Sequence, residues 1–289
     1  MSQKHPIIAV TGASGAGKEP VCTAFKHLFW REKVKSVTLE GEAFHRYTRD
    51  EMKKEVEKSK KKLGRAISHF GPEGNILDKL EAVLKEYGEK GTGQCRHYLH
   101  NDDDARDHNQ PPGTFTRWEP IAEGSDLLFY DGLHGGYVAH GIDIPKHIDL
   151  LIGVTPIVNL EWIQKIHRDS RERGYSREAV MQSILDRMHD YVHYITPQFS
   201  HTHINFQRVS VVDTSHPFIA RDVPTLDESY VVIRFRYPKG VDFPYLLRMI
   251  HNSFMSRPNT IVIPGGKQLE AMEIILLPLL HELMEKRKH

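Results

Sequence analysis

Three observations on the sequence predict an α/β fold in which short strands alternate with helices. Ile7-Ile8-Ala9-Val10 runs into the glycine-rich turn Thr11-Gly12-Ala13-Ser14-Gly15-Ala16-Gly17-Lys18, and a helical apolar pattern follows from Val21 to Trp30. Asp126 to Gly132 is a second apolar run and closes on the carboxylate of Asp131. Strand-like and helix-like stretches then alternate along most of the remaining chain.

The opening unit carries the strongest chemical signal. Strand, glycine turn and helix are the context of a phosphate-binding loop: backbone N–H groups close around phosphates and the helix N-terminus adds partial positive charge. Gly12, four residues, Gly17 and Lys18 fit the first seven positions of the eight-position pattern. The eighth, a Ser or Thr whose hydroxyl binds Mg²⁺, is here Glu19, followed by Pro20. A glycine turn that only caps a helix is the plainer alternative, since Glu19 suits the positive dipole end and Pro20 is tolerated in a first turn. A dinucleotide-binding fold of the short-chain reductase type is another. Its loop has three residues between its first two glycines, whereas Gly12 and Gly15 enclose two, and the chain has no Tyr-x-x-x-Lys pair. A nucleoside triphosphate site fits the spacing better.

A strand from Val34 to Leu39 delivers Glu40, Glu42, His45 and Arg46 at its carboxyl end, where open α/β sheets bind ligands. Arg49 to Leu63, rich in lysine at helical spacing, reads as a solvated helix. Ala66 to Asn75 reads as loop and Ile76 to Tyr87 as an amphipathic helix. Gly88 to Gly124 lacks periodic pattern, and so long an irregular stretch is functional or disordered. Its Tyr98, Phe115 and Trp118 favour an ordered, substrate-facing excursion. The strand ending in Asp131 supplies the acid that, in phosphate-loop enzymes, holds Mg²⁺.

Ile148 to Val154 is a further strand, and Val158 to Ser170 a helix leading into Lys165, Arg168, Asp169, Arg171, Arg173 and Gly174. Such a dense cationic run resembles the lids of small nucleotide kinases, here over residues 165–176, where arginines close on phosphates. An exposed basic helix end is the alternative. Next come a helix from Arg177 to Tyr191 and strands at Arg208 to Asp213 and Tyr230 to Arg236. A helix from Phe243 to Ser253, a strand from Ile261 to Ile263 and a terminal helix from Gln268 to Lys286 complete the chain. No repeat or linker breaks it, so a single domain over 1–289 is expected.

Composition narrows the function classes. Lys+Arg 39 against Asp+Glu 38 leaves a formal charge of +1, which offers no footprint for nucleic acid. Two cysteines, Cys22 and Cys95, make no disulfide framework and suit a reducing cytoplasm; Cys22 reads as a small core residue. No signal-peptide core precedes the first strand and no segment approaches 18 apolar residues, so a soluble cytoplasmic protein without membrane contact is expected. The nineteen histidines are scattered, and His134, His201 and His203 form no zinc spacing.

Eight stretches taken together resemble the bacterial phosphoribulokinases over nearly the whole chain: His5 to Ile8, Gly12 to Gly17, Glu40 to Arg46, Leu128 to Gly135, Val158 to Lys165, Pro197 to Ser200, Asn205 to Val209 and Pro264 to Lys267. The resemblance implies a P-loop kinase with a mixed sheet flanked by helices, assembled as a homo-oligomer. It implies transfer of the ATP γ-phosphoryl group, with Mg²⁺, to the 1-hydroxyl of ribulose 5-phosphate, giving the ribulose 1,5-bisphosphate of carbon fixation. His45, Arg49, Tyr98, His100 and Arg173 match its sugar-phosphate contacts. Lys165 and Arg168 look like its phosphoryl clamp, Asp169 agrees with its pattern, and the kinase it implies would use Asp131 or Asp169 as Mg²⁺ partners. Arg31, Arg234 and Arg257 match arginines tied to NADH activation and AMP inhibition.

Departures from the family's pattern fall on the chemistry. Glu42 stands where the family has the Asp that takes the sugar hydroxyl proton, Asp131 where it has Glu, and Glu19-Pro20 where it has Ser or Thr. Lys18 stands where bacterial members often have Thr. Glu19 brings negative charge to an anion site, and Pro20 removes one N–H. Two readings therefore stay open: a kinase, slowed by these positions, and a non-catalytic relative that binds sugar phosphate or effector within an oligomer. A kinase for another sugar or a nucleoside is a third.

Overall fold

The computed structural model describes residues 4–13, 15–155, 157–172 and 174–287. Its first strand, β1 (Ile7–Thr11), is buried along its whole length, as a strand covered on both faces must be. The chain continues through α1 (Glu19–Arg31), β2 (Ser36–Glu40), α2 (Arg49–Leu63), α3 (Leu77–Lys90), β3 (Leu127–Gly132) and β4 (Leu150–Val154). Then come α4 (Val158–Arg171), α5 (Arg177–Asp186), β5 (Ile204–Ser210), β6 (Ser229–Phe235), α6 (Phe243–Met249), β7 (Phe254–Arg257), β8 (Thr260–Pro264) and α7 (Gln268–Arg287).

The eight strands form one mixed sheet in the order β7-β8-β6-β5-β4-β1-β3-β2. β2, β3, β1, β4 and β5 run parallel, and β6, β8 and β7 add antiparallel pairs. One face packs Ile8, Val10, Phe129 and Ile152 against α1 and α7 through Phe25, Leu28, Ile275 and Leu276. The other packs Ile7, Ala9, Leu128 and Tyr130 against α3 through Leu80, Leu84 and Tyr87. Because β2 and β4 leave on opposite sides of the β1–β3 pair, a crevice opens beyond the carboxyl ends of these strands, where the loop after β1 sits.

Several elements differ from expectation. β5 begins at Ile204 rather than Arg208, because Ile204 and Phe206 alternate into the core while polar neighbours mask the pattern. The edge strand β7 was not anticipated; its residues are mostly exposed, so no buried face marks it. The helix from Arg177 breaks at Asp186 and resumes as a short turn and a π-helical turn, Tyr191–Ile195. The break brings Asp190, fully buried, onto Ser68 and Arg65. α6 stops at Met249, where Ile250 turns into the core.

The stretch 88–124 is ordered by local pairing. Gln94 and Cys95 pair with Pro120 and Glu119, and Tyr98 bridges Phe115. Arg96 lies 3.7 Å over the Phe115 ring and donates to the Ala43 and His45 carbonyls at 2.7 Å, fastening the excursion to the turn after β2.

Candidate active site

The loop after β1 has the backbone of an anion cradle. Gly15 and Gly17 hold φ of +112° and +78°, which side chains resist. A Cβ on Gly12 would lie 2.8 Å from the Val154 carbonyl, so only glycine lets the loop rest on the end of β4. Ser14 lies outside the described residues; Ala13 and Ala16 are buried and close the turn by a 3.0 Å bond from the Ala16 N–H to the Ala13 carbonyl. Lys18 caps α1, and its Nζ bonds Asp131 Oδ1 at 2.6 Å and the Gly132 carbonyl at 3.2 Å. Glu19 and Pro20 open the helix; Glu19 is exposed and makes no ion pair among the described residues. Cys22, one turn on, is buried as expected but also touches the site: its Sγ lies 3.4 Å from Asp131 Oδ2. Burial, with Asp131 beside it, pushes this thiol up to about 12, so it stays a protonated donor.

Glu42 lies on the 3₁₀ turn Gly41–Phe44 at the end of β2. A Cβ on Gly41 would come 2.7 Å from the Gly132 Cα, so glycine lets the turns after β2 and β3 touch and brings Glu42 beside the phosphate loop. Glu42 Oε2 pairs with His100 Nε2 at 2.5 Å. His100 and Tyr98 reach in from the excursion, their rings 4.9 Å apart edge to face. Arg49 at the start of α2 donates to the His100 carbonyl at 2.7 Å and hydrogen-bonds Tyr98. His45 is buried behind them, held well below the ordinary histidine value by burial and then by His69. The sugar-contact candidates thus form one contact cluster, which reaches Glu42 through His100. Arg173 lies outside the described residues.

α4 supplies the third wall. Lys165 Nζ meets Asp169 Oδ2 at 2.5 Å, and Arg168 Nε donates to Asp169 Oδ1 at 2.9 Å. Burial alone would raise Asp169, but Lys165 and Arg168 hold it below the usual carboxylate range. Burial, with Arg187 nearby, lowers Lys165 to about 8. This half of the 165–176 segment is packed helix, with Lys165, His167 and Asp169 all buried.

Sequence reasoning missed several residues here. Glu161 is buried, accepts from Tyr191 Oη at 3.0 Å, and is raised to about 7 by burial. With Lys165 and Asp169 it recurs every four residues among Leu160, Ile163 and Ile166; a polar stripe within an apolar face was the available signal. With its amide turned so that both ends find partners, Gln164 donates to the Gly15 carbonyl at 2.8 Å and accepts from Arg208 Nη1 at 3.2 Å, tying the loop to β5. Arg187 acts electrostatically on His45, His69 and Lys165, and only the fold brings it there.

The three arginines read as an effector set lie apart from this crevice in their contacts. Arg31 pairs with Glu32 and with Glu273 on α7, while Arg234 and Arg257 flank Thr260 on neighbouring strands. Among the described residues no hydrogen bond or ion pair joins Arg31 to the other two.

The donors fit a nucleotide-borne Mg²⁺. Among the described residues no cluster of three His, Cys, Asp or Glu side chains is placed to hold a metal. Mg²⁺ needs fewer, since it keeps waters and binds through one or two carboxylates plus substrate phosphates. Asp131, at the end of β3 beside the loop, and Asp169 are such carboxylates. No helix among the described residues is long and apolar enough to cross a membrane.

Comparison with known proteins agrees with this geometry. The sequence profile of the Phosphoribulokinase / Uridine kinase family matches residues 7–215. The chromosomal phosphoribulokinase of Cupriavidus necator is 56% identical over 288 residues, covering 100% of this chain and 99% of the relative. A probable phosphoribulokinase of Escherichia coli shows the same identity and coverage, 56% over 288 residues. The solved phosphoribulokinase from Rhodobacter spheroides superposes with a TM-score of 0.90 at 52% identity, over 99% of each chain. Full-length likeness of this order, with the glycine loop after β1 set against Asp131 and α4, places the chain in the phosphoribulokinase/uridine kinase family.

Proposed function

We propose that this chain phosphorylates the 1-hydroxyl of D-ribulose 5-phosphate from ATP, giving ribulose 1,5-bisphosphate. The observation that carries the proposal is one chain of contacts in which Glu42 pairs with His100, His100 meets Tyr98 and Arg49, and Tyr98 meets His45. Full-length likeness to proteins named phosphoribulokinase supports the same substrate.

In this mechanism the loop amides of residues 12–18 and Lys18 hold the nucleotide phosphates. Glu42 takes the proton of the 1-hydroxyl as that oxygen attacks the γ-phosphorus and ADP leaves. Lys165 and Arg168 stabilise charge on the transferring group. His45, Arg49, Tyr98, His100 and Arg173 bind the sugar phosphate. Asp131 and Asp169 would hold Mg²⁺, which would supply positive charge to offset that of the nucleotide phosphates. We further propose a cytoplasmic homo-oligomer, a single domain over residues 1–289, and NADH activation through Arg31, Arg234 and Arg257.

The Lys18–Asp131 ion pair bears on the departures from the family's pattern. The pair ties the end of the loop to the carboxylate at the end of β3, which supports a working loop over a broken one. Purified protein assayed with ATP, Mg²⁺ and ribulose 5-phosphate tests the proposal. ATP-dependent formation of the bisphosphate is expected. Sugar-phosphate binding without turnover would instead favour the non-catalytic binding protein.

A further inference from the structure

We propose that His69 is a positioning residue of the sugar-phosphate pocket, fixing the ring plane of His45 by stacking on it. This rests on His45 being a sugar-phosphate contact. The two imidazole rings lie 3.8 Å apart with planes 18° from parallel. Both residues' Nδ1 atoms are buried and have no hydrogen-bond partner among the described residues. Buried polar atoms are ordinarily paired, so a pair left bare calls for an explanation beyond core packing. A hydrogen bond to the Gly74 backbone fixes the His69 ring, whereas at its Nδ1 only contact orients His45. Tyr98 meets His45 in a T-shaped contact at 5.9 Å and 70°, so His45 is gripped between the face of His69 and the Tyr98 ring.

His69 is itself immobilised by its neighbours. The Asn75 amide donates to the His69 carbonyl at 3.0 Å, and the Phe70 N–H donates to Ser68 Oγ at 3.1 Å. Ser68 Oγ in turn donates to Asp190 at 2.7 Å, and His134 Nε2 meets the Phe70 carbonyl at 3.1 Å. Gly74 is pressed so close to the Ser68 carbonyl that no other residue fits. A rigid loop thus presents one flat face to a histidine that has no hydrogen bond of its own at Nδ1. Burial, with Arg187 nearby, lowers His69 to about 4, so the rings stack uncharged at neutral pH. Positioning through a packed second layer of this kind is how ligand-contacting groups keep their geometry.

The test compares two replacements of similar bulk: His69→Phe keeps a flat face, and His69→Leu does not. Ribulose 5-phosphate binding is measured by calorimetry, and KM for sugar phosphate and for ATP by rate assay. His69→Leu is expected to weaken sugar-phosphate binding and raise its KM about tenfold. The ATP KM should stay within twofold, and His69→Phe within threefold of the unaltered chain for the sugar. A sugar KM within twofold for His69→Leu, or a loss in His69→Phe equal to that in His69→Leu, overturns the proposal. If His69→Leu is insoluble, His69→Asn replaces it with the same expected loss. An unaltered chain that binds the sugar without turnover refutes the kinase mechanism and leaves calorimetry to decide His69. An unaltered chain that binds no ribulose 5-phosphate overturns both.

Discussion

The Lys18–Asp131 pair makes a quantitative prediction. Lys18 Nζ and Asp131 Oδ1 are 2.6 Å apart, with side chains 19% and 35% exposed, and Asp131 also receives the Cys22 thiol. A charge-assisted hydrogen bond contributes roughly 1.5–3 kcal/mol. Solvent reaching a third of Asp131 reduces the expected coupling to about 1–2 kcal/mol. A double-mutant cycle of Lys18→Met, Asp131→Asn and the pair, followed by thermal and urea unfolding, reads this directly. Each single change should lower Tm by about 2–4 °C, and the double change should cost less than their sum by about 1–2 kcal/mol. Additivity within about 0.3 kcal/mol would refute the claim that these two side chains act as one unit.

Further outcomes follow from the other groups in the crevice. Glu42→Gln should lower kcat at least about 10²-fold with the ATP KM little changed, as loss of a general base requires; initial rates at saturating substrates check it. Lys165, lowered to about 8, loses its charge as pH rises through that value, so the rate should fall above about pH 8. In Lys165→Arg this alkaline limb should vanish, since arginine stays charged. Glu161 is raised to about 7 from an ordinary 4.5, so the folded chain holds a proton that the unfolded chain releases between those values. Stability should therefore decline as pH rises from about 4.5 to 7. Glu161→Gln should match the unaltered chain near pH 5 and exceed it by ~2–3 kcal/mol at pH 8, measured by urea unfolding at both values.

Much of this was legible in the sequence because local rules agree there with the fold. β1 and β3 are continuous apolar runs, and the glycine spacing of the loop reads the same in one dimension as in three. His45, Arg49, Tyr98 and His100 stand out in the sequence, but their meeting does not: Arg96, stacked on Phe115 and bonded to the turn after β2, fastens the two stretches together. Asp190 leaves no periodic signal because it lies where the helix breaks, and the polar stripe that holds Glu161 shows its meaning only once Tyr191 arrives from a distant segment. β5 was displaced because Arg208 and Gln207 break an alternation that Ile204 and Phe206 keep. β7, an exposed edge, has no apolar pattern to read.

The most direct test of the account is titration of the unaltered chain with ATP·Mg²⁺, followed by a timed reaction with ribulose 5-phosphate. The account predicts that ATP·Mg²⁺ binds despite Glu19 and Pro20, because Lys18 and the loop amides remain in place, and that ADP and ribulose 1,5-bisphosphate form in equal amounts. Sugar-phosphate binding with no detectable ATP binding would contradict it, and would make this chain a sugar-phosphate-binding relative on a kinase fold.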